Sequence, residues 1–262
     1  MGRLADKVVI ITGAGDGLGA VMAHLFAGEG AHLTLAGRRT ALLEGVAVAV
    51  RAGGGRAIAV TTDVTDEAAI VAMVEATVST YGRVDVLCNN AAQPGKDLHI
   101  WEQTLENWNA TIAVDVTAAM LCSREVLSQS MLERGSGSIV HFSSTAGLEG
   151  IERKSHYGVA KAGLRTLTKV MAKEVGPRGI RVNCLVPGGI QTELLRNYWR
   201  RLAGEQGVTW EEIRDQGARS TALRRIAMPE EIAQVALFLA SDESSAITGQ
   251  SIVADCGSRM PG

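Results

Sequence analysis

Eight residues near the amino terminus, TGAGDGLG at positions 12–19, carry the most information about the fold. They follow an apolar, β-branched run at 8–11 and precede a stretch typical of a helix. Gly13 permits a sharp turn out of the strand, while Gly17 and Gly19 let the backbone approach a pyrophosphate and let the helix pack closely on the sheet. The helix N-terminus would then face the phosphates. A tight turn without a ligand is the plainer alternative, and the position after the first strand favours a nucleotide site.

Strand-like and helix-like segments alternate along the whole chain. The predicted strands cover residues 8–11, 32–36, 56–61, 84–88, 138–142, 181–186 and 251–254. Strands separated by helices of this length predict one parallel sheet with helices on both faces, a doubly wound α/β fold. No repeat or linker divides the chain, so we expect a single domain over residues 1–262. A polar interruption, residues 191–228, lies beside the carboxyl ends of the strands, where such sheets bind ligands.

The composition argues against several classes of protein. Lys plus Arg number 26 and Asp plus Glu 28, so the net charge of −2 gives no reason to bind nucleic acid or an anionic membrane. The four cysteines form no CxxC pair, which argues against a metal site and fits a reducing, cytoplasmic compartment. We find neither a signal peptide nor an apolar stretch long enough to span a membrane.

Five motifs in the right order resemble the short-chain dehydrogenase/reductase family. They are the glycine stretch with Thr12, Asn89-Asn90-Ala91-Ala92, Ser143-Ser144, Tyr157-Gly158-Val159-Ala160-Lys161, and Asn183 with Pro187 and Gly188. The resemblance covers the whole chain. It implies a Rossmann fold of about seven strands and an oxidoreductase that transfers hydride between a nicotinamide cofactor and a secondary alcohol or ketone. Family members are commonly tetramers, so a homotetramer or homodimer is expected.

The resemblance also implies which residues contact the cofactor. They are Gly13, Gly15, Asp16, Gly17, Leu18, Gly19, Asp63, Val64, Asn90, Ala91, Tyr157, Lys161, Pro187, Gly188, Ile190 and Thr192. In this set, Asp63 and Val64 would hold the adenine, although Asp63 could instead begin the turn into the next helix.

The end of the second strand bears on the choice of cofactor. Gly37 stands where NAD-selective folds carry an acidic residue that accepts a ribose hydroxyl, and Arg38 and Arg39 follow it. A guanidinium forks onto a 2′-phosphate, which a carboxylate would repel. We therefore favour NADP(H), with Arg38 as the main clamp and Arg39 as an auxiliary one. NAD(H) stays open because Gly37 alone does not exclude it, and both arginines could simply begin a solvated helix.

Tyr157 and Lys161 are four residues apart and would share one face of a helix. A free phenol has a pKa of about 10, too high for acid–base work at neutral pH, and a nearby ammonium lowers it. The resemblance implies that Ser144 holds the substrate oxygen, that Tyr157 exchanges its proton, and that Lys161 also donates to the nicotinamide ribose. Ser143 is a competing hydroxyl, and the interval of thirteen residues to Tyr157 favours Ser144.

Asp115 departs from the family pattern. The family usually has an Asn here, which holds a water in a proton relay that ends at the lysine. An aspartate keeps the acceptor oxygen but loses the amide donor, and its charge would favour the ammonium of Lys161. We expect the relay to work with an altered pH dependence, unless Asp115 only fixes the local backbone.

The 191–228 segment is expected to form a lid over the substrate. Tyr198 and Trp199 offer apolar surface for a substrate, with Gln93 and Leu148 on the opposite wall, although the two aromatic residues could instead pack the lid onto the body. The runner-up reaction is reduction of a 3-oxoacyl thioester. A function of another class is a cofactor-binding sensor without catalysis, against which the intact Ser-Tyr-Lys set argues.

Overall fold

A computed structural model of the chain describes residues 2–260, so residues 1 and 261–262 of the predicted domain lie outside the described part. The strands are β1 Val8–Thr12, β2 His32–Gly37, β3 Arg56–Thr61, β4 Val86–Asn89, β5 Gly137–Phe142, β6 Ile180–Pro187 and β7 Ser251–Ala254. The α-helices are α1 Gly17–Gly28, α2 Thr40–Ala52, α3 Glu67–Tyr81, α4 Leu105–Ile112, α5 Ala118–Val126, α6 Leu132–Arg134, α7 Ser155–Val175, α8 Glu193–Gln206, α9 Trp210–Arg219 and α10 Pro229–Ala240.

The seven strands form one parallel sheet in the order β3-β2-β1-β4-β5-β6-β7. This confirms the predicted doubly wound Rossmann fold. The strand order reverses at β1, which pairs with β2 on one side and β4 on the other. A crevice opens at such a reversal, beyond the carboxyl ends of the strands, and this is where open α/β sheets bind ligands.

Each face of the sheet is covered by its own apolar core. Side chains alternate along a strand, so Val9 and Ile11 of β1 join one core while Ile10 joins the other. The first core packs α1, α2 and α10 on the sheet, and the second packs α3, α5 and α7. Because β1 is buried on both faces, it reads as a continuous apolar run, which explains why the sequence located it well.

The sequence of residues 105–133 predicts one long helical region, but the structure does not form one regular α-helix there. Two π-helical segments, Ala113–Thr117 and Leu127–Met131, separate α4, α5 and α6. A π-helix inserts one extra residue into a turn, and such insertions are frequent at functional sites. The first segment contains Asp115 and therefore shapes the site described below. Within residues 2–260, no helix combines the length and hydropathy that a transmembrane span requires.

Candidate active site

The glycine loop between β1 and α1 is shaped to admit a ligand. Gly13 and Gly17 have φ angles of +68° and +52°, in the left-handed region that favours glycine. A Cβ on Gly19 would lie 2.1 Å from the carbonyl oxygen of Gly13, so α1 packs too closely for any side chain there. Beside Gly17 the space is open as far as Thr192, whose Cγ2 would lie 3.9 Å from an added Cβ.

Asp16 is the N-cap residue of α1, but its side chain makes no capping hydrogen bond to the first turn. Its N–H groups and the positive end of the helix dipole are therefore available to an anion. The open space at Gly17 and the free N–H groups of this helix end are compatible in size and charge with the pyrophosphate of a dinucleotide, and its binding here stays a prediction.

Asn90, after β4, ties the glycine loop to the middle of the sheet. Its side-chain amide donates to the carbonyl oxygens of Thr12 at 3.0 Å and Gly13 at 3.2 Å. The backbone N–H groups of Asn90 and Ala91 both donate to the hydroxyl of Thr12 at 3.1 Å. The predicted residues 90 and 91 thus lie against the glycine loop, and the side chain of Asn90 fixes the backbone of that loop at Thr12 and Gly13.

The two arginines after β2 have different surroundings. Arg38 is exposed and forms no ion pair with any residue in the described range 2–260. The guanidinium of Arg39 lies 2.8 Å from the carboxylate of Asp16, and the two side chains are 63 % and 61 % exposed. A Cβ on Gly37 would meet only the side chain of Leu43, at 3.6 Å. The structure therefore leaves Arg38 free to meet a phosphate, whereas Arg39 is engaged by an acid of the glycine loop.

Asp63 is predicted to hold the adenine, with the start of the turn into the next helix as the alternative. In the structure it makes the hydrogen bonds of that turn. It accepts hydrogen bonds from the backbone N–H of Thr65 at 2.9 Å and from its hydroxyl at 2.7 Å. These bonds, together with the charge of Arg38, keep the pKa of Asp63 below its ordinary value in spite of partial burial. Val64 beside it is buried, and the contact of this pair with adenine stays a prediction.

The two hydroxyls after β5 have separate partners. Ser143 is buried, and its hydroxyl donates to the carbonyl oxygen of Lys161 at 2.7 Å. Ser144 accepts a hydrogen bond from the N–H of Ala146 at 3.2 Å, which leaves its own O–H free to donate. Of the two candidates, the geometry therefore favours Ser144 as the group that meets a substrate oxygen.

Lys161 lies under Tyr157 on the same face of α7. Its Nζ is 5.4 Å from the centroid of the Tyr157 ring and donates to the carbonyl oxygen of Phe142 at 2.9 Å. The lysine is only 2 % exposed. Burial acts to lower the pKa of Lys161, but the neighbouring Asp115 and Tyr157 together outweigh it, so that the pKa is raised and the ammonium is kept.

Asp115 makes direct contact with this lysine. One carboxylate oxygen lies 3.0 Å from Nζ of Lys161, and the other accepts the backbone N–H of Gln93 at 2.6 Å. The contact with Nζ is an ion pair whose angles miss those of a hydrogen bond, and that oxygen has no hydrogen-bond partner among the described residues. A side-chain oxygen of Asp115 thus faces Lys161, as the sequence predicts, and Asp115 also fixes the backbone at Gln93.

His156, next to Tyr157, is buried in the wall of the site. Its Nε2 lies 2.9 Å from the carbonyl oxygen of Pro94 and its Nδ1 lies 2.8 Å from the amide of Gln103. A carbonyl oxygen can only accept, so Nε2 carries the proton and Nδ1 accepts from Gln103. Both ring nitrogens are used, which leaves His156 as a packing residue and not a base. Sequence reasoning missed Gln103, because no motif marks it.

A second buried histidine, His141 on β5, joins the elements behind the site. Its ring nitrogens contact the hydroxyl of Ser123 on α5 at 3.3 Å and that of Thr168 on α7 at 3.0 Å. Burial, with the charge of Lys161 adding, lowers the pKa of His141 to about 4, so it is neutral at ordinary pH. The network ties β5, which ends two residues before Ser144, to α5, which follows the segment of Asp115, and to α7, which carries Tyr157 and Lys161.

The predicted lid, residues 191–228, contains α8 and α9. Its ends meet where Ile190 bridges to Ala227 and where the N–H of Gln191 donates to Ala227 at 2.9 Å. Trp199 is 6 % exposed and its ring stacks on Trp210 of α9 at 6.5 Å, so it packs within the lid and neither offers surface to a substrate nor packs on the body through this contact. Tyr198 is half-buried and faces the body of the protein. Sequence could not separate the two neighbours, which point about 100° apart on a helix.

The remaining predicted site residues lie along the same edge of the sheet. Gly188, after β6, approaches the end of β7 so closely that a Cβ would lie 2.6 Å from that of Asp255. Pro187 is buried before it, and Gln93 and Leu148 are half-buried on the loops after β4 and β5. The predicted residues therefore gather around one crevice at the carboxyl ends of the strands.

Comparison with known proteins identifies the family. The model of the family described as Enoyl-(Acyl carrier protein) reductase matches residues 13–259. A protein of Aspergillus oryzae named "Short chain dehydrogenase/reductase astE" is 38% identical over 255 residues, which cover 97% of this chain and 95% of that protein. The chain belongs to the short-chain dehydrogenase/reductase family.

Other members of the short-chain dehydrogenase/reductase family agree along the full chain. The 3-oxoacyl-[acyl-carrier-protein] reductase FabG of Thermotoga maritima is 37% identical, covering 97% of this chain and 98% of that protein. The crystal structure of levodione reductase superposes with a TM-score of 0.92 at 34% identity, covering 97% of this chain and 98% of that one. The protein is an oxidoreductase of this family acting on CH–OH groups, with alcohol or ketone substrates, and the family uses NAD(P)(H).

Proposed function

We propose that the protein interconverts a secondary alcohol and a ketone with NADP(H), and that Tyr157 is the general acid and base. The observation that carries this proposal is the buried ammonium of Lys161, placed 5.4 Å from the centroid of the Tyr157 ring and 3.0 Å from the carboxylate of Asp115. Lysine is rarely buried because desolvation of its ammonium is unfavourable, yet Lys161 is only 2 % exposed. A buried ammonium here would stabilise the phenolate of Tyr157 on the neighbouring turn of α7, which gives its burial a catalytic use.

Each residue of the site has a defined task in this proposal. The hydroxyl of Ser144 donates to the substrate oxygen and orients it. Tyr157 takes the proton from that oxygen when the alcohol is oxidised, and returns it when the ketone is reduced. Lys161 supplies the positive charge that stabilises the deprotonated tyrosine, and Asp115 keeps the lysine charged. The nicotinamide, when bound, supplies or accepts the hydride.

The cofactor would lie across the crevice from the glycine loop to the end of β6. The open cradle at Gly17 and the uncapped first turn of α1 would hold the pyrophosphate, with Thr192 on the far side of the cradle. Arg38, exposed and without an ion pair in the described range 2–260, supports NADP(H), because its guanidinium is free for a 2′-phosphate. Arg39 would contribute less, since Asp16 already holds it at 2.8 Å.

A screen of carbonyl substrates with both cofactors tests this function. The purified protein would be assayed with NADPH and with NADH against cyclohexanone, 2,3-butanedione and acetoacetyl-CoA, the last to detect reduction of a 3-oxoacyl thioester. We expect turnover of at least one carbonyl compound, with kcat/KM for NADPH about tenfold or more above that for NADH. A preference for NADH would refute the cofactor assignment. The cytoplasmic location and the homotetramer or homodimer stay predictions from the sequence.

A further inference from the structure

Asp97 is a buried carboxylate at the mouth of the crevice that the proposed reaction does not use. Its side chain is 9 % exposed. One oxygen accepts from Nζ of Lys154 at 2.7 Å, and the other is ion-paired with the guanidinium of Arg201. The three residues are distant in sequence, at positions 97, 154 and 201, so the fold alone brings them together.

The three partners belong to the three segments that surround the substrate side of the site. Asp97 lies on the loop after β4 that starts at Gln93, and Lys154 is the N-cap residue of α7, one turn before Tyr157. Arg201 lies on α8, the first helix of the lid. A second contact reinforces the first junction, because the backbone N–H of Leu98 donates to the carbonyl of residue 153 at 3.0 Å.

Tyr198 of α8 is fixed by the same cluster. Its ring lies 4.9 Å from Nζ of Lys154 and 5.2 Å from Cζ of Arg201, both within the range of cation–π contacts. The lid helix therefore rests on the N-terminal end of the helix that carries Tyr157. Burial acts to raise the pKa of Asp97, but hydrogen bonds from Lys154 and Arg201 outweigh it, so the pKa is lowered and the carboxylate stays charged.

We propose that Asp97 is a positioning residue that fastens the lid helix α8 to the first turn of α7. Without its charge, two cations would face each other across the junction, and Arg201 would keep only its exposed pair with Glu205 within α8, which does not reach the body of the protein. Loss of the ion pairs would free α8 and widen the substrate site, while the proton-transfer residues would keep their contacts. The effect on substrate binding rests on the proposed function, whereas the effect on the motion of α8 does not.

The test compares three single variants of the full chain and the double variant that combines Asp97→Asn with Arg201→Gln. Asp97→Asn and Arg201→Gln each remove one partner of the junction. Glu205→Gln is the matched control, because it removes the other partner of Arg201, an exposed contact of 3.2 Å within α8. Hydrogen–deuterium exchange would follow the amides of Glu193–Gln206, and KM and kcat would be measured with cyclohexanone and NADPH, or with the best carbonyl compound of the screen. Thermal unfolding would confirm that each variant is folded.

We expect both junction variants to exchange the amides of α8 about tenfold faster than the wild type, and Glu205→Gln to exchange them at the wild-type rate. KM should rise about fivefold in both, with kcat within about twofold, and the double variant should add little because both changes break one junction. Unchanged exchange in Asp97→Asn, or an equal increase in Glu205→Gln, would overturn the proposal. Faster exchange in a protein that reduces no ketone would support the junction and refute the proposed function.

If Asp97→Asn fails to fold, the measurement on Arg201→Gln is sufficient by itself, since the side chain of Arg201 is 45% exposed and its replacement leaves no buried group of the lid unpacked. An exchange rate in Arg201→Gln equal to that of the wild type would then count against the proposal.

Discussion

Replacing Asp115 with asparagine removes the charge that faces Lys161 while keeping the size of the side chain and an oxygen for the N–H of Gln93. Breaking a buried ion pair by removing one partner costs roughly 3–5 kcal/mol, because the remaining charge is left without compensation. Lys161 can avoid that cost by losing its proton. At pH 7 this costs about 4.8 kcal/mol, from about 1.36 kcal/mol for each unit below its ordinary pKa of 10.5.

We therefore expect Asp115→Asn to lower the free energy of unfolding by about 3 kcal/mol at pH 7, with about 4.8 kcal/mol as the ceiling. The ceiling falls as the pH rises and is only about 2 kcal/mol at pH 9. In the wild type the pKa of Lys161 is raised, so its stabilising contribution is complete below pH 10.5 and is lost only as the pH rises through the folded value. The gap between the two proteins should thus narrow from pH 7 to pH 9.

Urea unfolding followed by circular dichroism at the two pH values measures this gap. Asp242→Asn is the matched control, because it breaks an exposed pair with Lys7 at 3.2 Å and should change the free energy of unfolding by less than about 1 kcal/mol. The Asp115→Asn enzyme should stay active at pH 7, with the alkaline limb of its pH–rate profile moved to lower pH. A loss of stability below about 1 kcal/mol at pH 7, or one that does not change with pH, would refute the reasoning.

Two further pairs of variants distinguish the roles of residues that are adjacent in sequence. Arg38→Ala should raise KM for NADPH about tenfold and leave KM for NADH unchanged, whereas Arg39→Ala should have a smaller effect; equal effects on both cofactors would contradict the phosphate clamp. Ser144→Ala should lower kcat about 100-fold, while Ser143→Ala should lower the free energy of unfolding by about 1 kcal/mol, because it removes a buried hydrogen bond to the carbonyl oxygen of Lys161. Steady-state kinetics and urea unfolding check this pair, and a reversal of the two effects would show that the other hydroxyl meets the substrate.

The parallel sheet could be predicted because its strands are short apolar runs separated by helical periodicity. β3 and β7 were placed at their observed bounds, and β4 was placed two residues early. The π-helical segments could not be predicted, because a one-residue shift in a helical apolar pattern is too small a signal to separate a π-helical turn from an α-helical one.

At the site, the sequence predicts residues that belong to motifs and misses those that act through tertiary contact. Asn90 and Lys161 stand at motif positions, and the structure gives both a specific partner. The pairing of Arg39 with Asp16 and the junction at Asp97 depend on segments that only the fold brings together. Charged residues of this kind look like an ordinary solvated surface in sequence.

The role of Tyr157 is tested most sharply by removing a single oxygen atom. Tyr157→Phe keeps the ring beside Lys161 but deletes the hydroxyl that exchanges the proton. Titration with NADPH and steady-state reduction of a ketone would be measured on the same preparation. We predict a Kd for NADPH within about twofold of the wild type and a kcat reduced about 1,000-fold, as expected when a general acid is lost. A variant that keeps more than about a tenth of the wild-type kcat would contradict the assignment of Tyr157 as the general acid and base.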